Sequence, residues 1–143
     1  MTAYLDASVL VPLFVSEPSS PVVRRWVSAR PKSGITASRW GAVEFASAVG
    51  NRVRRGDLTA AEGSAALAAF ERDFAQALEL EEAVPEDLDF ARRAIARFER
   101  GLRGGDALHV ATALRIDASL LVTSDRRLAN AARAFGLDAG EPA

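Results

Sequence analysis

The stretch GGDALHVATALRIDASLLVTSD, Gly104 to Asp125, decides the fold. It reads as a glycine loop, a buried helix opened by Asp106, a tight turn, a buried strand, and the start of another helix at Asp125. Between the two aspartates the chain is almost wholly apolar, broken by His109, Thr112, Arg115 and Asp117. A strand that leaves the core and ends in an acid, beside a helix that begins with one, belongs on a parallel α/β sheet. Such sheets bind ligands at the carboxyl ends of their strands.

Working outward, Ala3 to Leu5 is a short apolar strand ended by Asp6, and Ser8 to Val15 a short helix that tolerates Pro12 near its first turn. Pro21 to Ala29 is an amphipathic helix, and Ile35 to Ala37 a second strand. Ser38 caps a helix running to Arg55, with Val43, Ala46, Val49 or Gly50, and Val53 as its core stripe. Gly56-Asp57 breaks it, and Thr59-Ala-Ala-Glu62 forms a capping box that opens an alanine-rich helix to Ala77. Leu78 to Ala83 alternates and predicts an edge strand. Pro85 starts a helix that carries Glu86, Asp87 and Asp89 near its positive end and runs to Arg100. The last helix, Asp125 to Phe135, stops at Gly136, leaving residues 137–143 as a strand remnant and tail. Strands alternating with helices predict a short, mostly parallel sheet covered on both faces: one α/β domain over residues 1–143, a three-layer α/β/α sandwich.

Composition narrows the chemistry. At 143 residues, with 49% hydrophobic and 26% charged residues, the chain is an ordinary globule. It has no cysteine, which excludes disulfides and thiolate metal sites, and its single histidine argues against zinc. No segment is apolar for the ~18 residues a membrane helix needs, and MTAYLD is no signal peptide, so a cytoplasmic protein without membrane attachment is expected. The net charge of −1 gives no global basic field, yet all basic residues except Lys32 are arginine, whose planar fork matches phosphate. A GC-rich coding sequence explains the same bias.

Four acids stand in apolar surroundings: Asp6 after strand one, Glu44 within the helix WGAVEFASAV, Asp106 opening the central helix, and Asp125 after its strand. Ionised acids are seldom fully buried unless paired or metal-bound. Singly, each has a structural role available: Asp6, Asp106 and Asp125 as helix caps or first-turn anions, Glu44 as a half-exposed helix residue. Together, a parallel sheet places three of them on one edge, within reach of Glu44. Clustered carboxylates repel one another unless a cation sits among them, and oxygen-only ligands select Mg²⁺ or Mn²⁺. The usual task of such a site is phosphodiester hydrolysis by a metal-activated water. Ser8 and Thr123 are placed to hold the acids by hydrogen bonds, or serve only as an N-cap and a strand residue. Arg39, Arg103 and Arg126 are the candidates for phosphate contact. Gly104-Gly105 permits close backbone approach to a substrate, or simply a tight helix entry. His109, one turn after Asp106, is read as a hydrogen-bonded core residue before an acid or base, and Trp26 and Trp40 as core.

YLDASVLVPLF, WGAVEFASAV, RRGDLTAAE, RGGDALHVATAL and LLVTSDRRLANAARAFGL together resemble the PIN-domain nucleases, and among them the VapC-type toxins of bacterial toxin–antitoxin pairs, from Tyr4 to Leu137. The order of Asp6, Glu44, Asp106 and Asp125 fits that family's acidic quartet. The resemblance implies a PIN-like fold and a Mg²⁺- or Mn²⁺-dependent endoribonuclease that cuts cellular RNA (transfer, ribosomal or messenger). It also implies a homodimer and inhibition by a cognate antitoxin. Asp117 departs from the pattern, standing in a turn where such proteins often carry glycine, and the tail after Leu137 is short for the final strand many members have. Two other readings compete. An aspartyl-phosphate receiver or phosphatase wants a second acid beside Asp6 and a lysine at a strand end, where this chain has Ala7, Ser8 and a loop Lys32. A catalytically silent PIN-like binding module would have no need of all four acids.

Overall fold

The computed structural model describes residues 1–143 and contains four strands and seven α-helices. In chain order these are β1 (Ala3–Leu5), α1 (Ala7–Phe14), α2 (Ser20–Ser28), β2 (Ile35–Thr36), α3 (Arg39–Arg54), α4 (Ala60–Phe70), α5 (Pro85–Ile95), α6 (Gly104–Arg115), β3 (Leu120–Val122), α7 (Arg126–Ala134) and β4 (Ala139–Gly140). All strand pairings are parallel, in the order β2-β1-β3-β4. The chain winds outward from β1 to β2, then returns across β1 to β3 and β4. The direction of winding therefore reverses between β1 and β3, and in open α/β sheets the ligand crevice lies at such a switch.

Strand side chains alternate between two cores. Ala3, Leu5, Ile35 and Val122 pack with α1 to α4, around a cluster in which Phe45 stacks on Phe70 at 4.6 Å and Phe14 meets both rings edge-on. Tyr4 and Leu121 face the opposite layer of α5, α6 and α7. This is the three-layer α/β/α sandwich with a parallel sheet. No helix is long and apolar enough to cross a membrane.

Several local expectations shift. In α3 the core face is Gly41, Phe45 and Val49, while Val43 is 58% exposed and Ala46 is also outside. The phenylalanine cluster sets that rotation, because Phe45 buries more apolar surface than Val43 would. Leu78 to Ala83 forms no strand. It makes a single parallel bridge, Glu81 to Ser38, in which Arg39 N–H donates to the Glu81 carbonyl and Glu81 N–H to that of Ala37. The helix after Thr59 widens into a π turn at Glu71–Ala75, and α5 stops at Ile95, short of Arg100, where a separate 3₁₀ turn covers Phe98–Arg100. Ser38 accepts Gly41 N–H and the Thr59/Glu62 capping box forms, both as the sequence predicts. Asp117 is the one non-glycine residue with positive φ, at 54°. Aspartate tolerates this conformation because its side chain can bond locally. The tail does add a strand: Ala139 and Gly140 pair with Leu121 and Val122.

Candidate active site

The switch between β1 and β3 is held together by Asp6. Its N–H donates to the Val122 carbonyl across the sheet, and its side chain lies 5% exposed at the carboxyl end of β1. Asp6 occupies the N-cap position of α1 yet makes no side-chain cap bond. Ser8 donates to Oδ1 at 2.6 Å and Thr123 to Oδ2 at 2.9 Å instead. Ser8 in turn accepts Ser124 N–H, and Thr123 accepts Asp125 N–H. The two hydroxyls thus tie the carboxylate of one strand end to the loop that leaves the next, which is more than a cap and a strand residue would do.

Asp106 is the third residue of α6 and half-buried; it caps nothing. Asp125 does cap: its Oδ1 accepts Arg127 N–H and Leu128 N–H at the start of α7. Glu44, on α3, turns one carboxylate oxygen to His109 on α6 in a very short contact. Its other oxygen, Oε2, packs on Gly105, where a Cβ would sit 3.1 Å away. Trp40 presses on the same glycine, whose Cβ would stand 3.2 Å from the indole. What the glycine entry of α6 admits is therefore Glu44 and Trp40.

Burial and neighbouring charges act on two of these acids. Burial pushes the Asp6 carboxyl up; the Ser8 hydroxyl, His109 and Thr123 pull it back, and the Glu44 charge adds to the rise. Burial raises Asp106 too, followed by the charge of Asp125, with His109 and Arg127 opposing and Glu44 reinforcing. No three acid or imidazole groups converge tightly enough to make a closed ligand cage. The donor set is carboxylate and hydroxyl oxygens, and the only imidazole is engaged by Glu44 and Tyr4. That set fits a hard ion bound through one or two carboxylates with water completing its shell, which is how Mg²⁺ is ordinarily held.

The arginines separate. Arg39 turns away to Glu82, 3.8 Å off, on a face it shares with Val43 and Glu79. Arg126 lines a hollow beside Thr123 and Ser124, and Arg103 is exposed at the entry of α6. Arg127, which the sequence reading passed over, is the arginine whose charge reaches Asp106. Its position, two residues after Asp125 in the first turn of a helix, was the available clue. Tyr4, by sequence a residue of the first strand, also reaches this region: its hydroxyl meets His109 Nδ1 at 2.7 Å.

The sequence matches the PIN domain family model over residues 3–134. No curated protein sequence is significantly similar to this chain. Among solved structures, FitAcB from Neisseria gonorrhoeae superposes with a TM-score of 0.78 at 14% identity, covering 99% of this chain and 98% of that one. VapBC from Salmonella typhimurium, solved bound to DNA, gives 0.73 at 15% identity, covering 100% and 99%. Mycobacterium tuberculosis VapC20, described as a sarcin-ricin loop cleaving toxin, gives 0.72 at 17%, covering 91% and 95%. These identities speak to the fold, and the family model to descent: with parallel strands ordered 2-1-3-4 and a match over nearly its whole length, this chain belongs to the PIN domain family.

Proposed function

We propose that this protein is a divalent-metal-dependent endoribonuclease acting as the toxin of a toxin–antitoxin pair. The observation that carries the reading is Asp6: a buried carboxylate, held by two hydroxyls rather than spent on a helix cap, that feels the charge of Glu44, as Asp106 feels those of Asp125 and Glu44. Like charges brought together repel one another, and a bound cation would relieve that repulsion. Asp6 and Asp106 are the principal ligands to Mg²⁺ or Mn²⁺, with Asp125 and Glu44 completing the set directly or through water. Bound there, the ion supplies an acidified water and neutralises charge on the phosphate. Ser8 and Thr123 keep the Asp6 oxygens aimed. Glu44 orients the attacking water, Arg127 and Arg126 meet phosphate from the α7 side, and Arg103 does so from the α6 entry.

The match to the PIN domain family, and the likeness to FitAB and VapBC complexes, support an antitoxin partner. A homodimer and a cytoplasmic RNA substrate complete the proposal. The test is cleavage of total RNA with Mn²⁺ by wild type and Asp6→Asn. Cleavage by the wild type that falls at least about 100-fold in the variant is expected, since removing a metal ligand leaves the water unactivated. Equal cleavage by both would end the proposal.

A further inference from the structure

Glu44 has no hydroxyl partner of the kind that holds Asp6; its partner is an imidazole that reaches it from inside the core. Four side chains run in sequence: Glu44 to His109 Nε2, His109 Nδ1 to the Tyr4 hydroxyl at 2.7 Å, Tyr4 to Ser38 Oγ at 2.8 Å, and Ser38 Oγ to Gly41 N–H at 2.9 Å. Tyr4, Ser38 and His109 are 0%, 2% and 1% exposed. The Tyr4 hydroxyl has one hydrogen, and it donates to Ser38; Nδ1 of His109 is then the donor to Tyr4, and Nε2 faces Glu44. Every buried polar atom along the path has a partner. The path also closes on itself, because Ser38 caps α3 and Glu44 lies one turn and a half along it. β1 and α6 contribute the two links between.

Such a closed loop leaves the imidazole no freedom. Its ring cannot turn without breaking the bond between Nδ1 and the Tyr4 hydroxyl, and the Tyr4 ring packs edge-on against it at 5.6 Å between centroids. With Oε1 taken by His109, Oε2 has one direction left, toward Gly105 in the first turn of α6, the turn that carries Asp106.

We propose that His109 is a positioning residue: braced by Tyr4 and Ser38, it holds the Glu44 carboxylate turned toward Asp106, and so sets the divalent-ion affinity of the site. The inference rests on the metal-dependent reading above. Groups that orient metal ligands from behind typically govern 10–100-fold in affinity.

The measurement is Mn²⁺ titration of the intact protein, read both as thermal stabilisation and as loss of the free-ion electron-resonance signal, without RNA. His109→Leu fills the buried position with an apolar side chain and should weaken Mn²⁺ binding about tenfold or more. His109→Gln retains an N–H for Glu44 and should recover most of that loss. Tyr4→Phe removes only the far hydroxyl, keeps the ring in the core, and should weaken binding by a smaller factor, which leaves the proposal testable if the leucine variant folds poorly. In a Glu44→Gln background, His109→Leu should change Mn²⁺ affinity no further, because the two act as one unit. Wild-type affinity in His109→Leu, or an equal loss with and without Glu44, would overturn the positioning role. Absence of any Mn²⁺ response in the wild type would instead overturn the metal reading beneath it.

Discussion

Replacing Thr123 by valine isolates the hydroxyl that bridges Asp6 and Asp125. The side chain is 1% exposed, and valine has nearly its shape, so no cavity opens. Three polar contacts are lost: a bond given to Asp6 Oδ2 at 2.9 Å, one accepted from Asp125 N–H at 3.0 Å, and a longer contact with the Ser8 hydroxyl at 3.3 Å that adds little because Ser8 spends its hydrogen on Asp6. A bond to an ionised acceptor contributes roughly 1.5–3 kcal/mol, and a neutral one roughly 0.5–1.5 kcal/mol. The Asp125 amide is only part-buried and water can replace the second partner, so the expected cost is about 2–4 kcal/mol, lower in that range. At about 3 °C per kcal/mol for a chain of this size, the melting temperature falls by about 6–12 °C. Thr123→Ser keeps the hydroxyl and loses one methyl, for about 1 kcal/mol. Urea unfolding with a chelator present measures both. A valine variant within about 0.5 kcal/mol of wild type, or a serine variant as damaged as the valine one, would refute the idea that this hydroxyl holds the crevice.

Two further expectations follow from other buried acids. Burial holds the Asp6 and Asp106 carboxyls above their ordinary values, so the native state retains protons that the unfolded chain has lost. Stability therefore declines as pH rises from about 4 through the native carboxyl values; Asp6→Asn removes one such contribution, and in chelator its urea midpoint should fall less over that range. A wild-type curve no steeper than that of the variant would contradict the assignment. Asp87, on α5, is 2% exposed and accepts Arg115 Nε at 3.0 Å, Thr112 Oγ1 at 3.3 Å and Val84 N–H at 3.2 Å, clamping α5 to α6. Arg115→Met strands a buried charge and should cost about 3–5 kcal/mol; Asp87→Leu leaves an arginine that can reach water and should cost less. Unfolding free energies in the opposite order would reject that asymmetry.

The layers of the molecule were legible because helix and strand periodicities are local. The run from Gly104 to Asp125 specifies a buried helix and a buried strand whatever surrounds it, and acids that end strands of a parallel sheet must share an edge. The capping box at Thr59 and the cap at Ser38 are contacts over three residues, so the sequence contains them whole. Short edges were less readable. Leu78 to Ala83 alternates like a strand, but pairing depends on a neighbour that offers only one bridge. The rotation of α3 depended on phenylalanines brought from α1 and α4, which no pattern within α3 encodes.

What the sequence alone supplied was the four acids and the expectation that covalent order and strand direction bring Asp6, Asp106 and Asp125 toward one edge. What only the tertiary structure decided was which groups restrain them. Thr123 grips Asp6 across 117 positions of chain, where Ser8 does so from only two away. His109 reaches Glu44 across 65 and Tyr4 across 105. A hydroxyl or an imidazole carries no mark of its distant partner; the partner is chosen when the sheet closes and buried polar groups must find each other or be left unbonded.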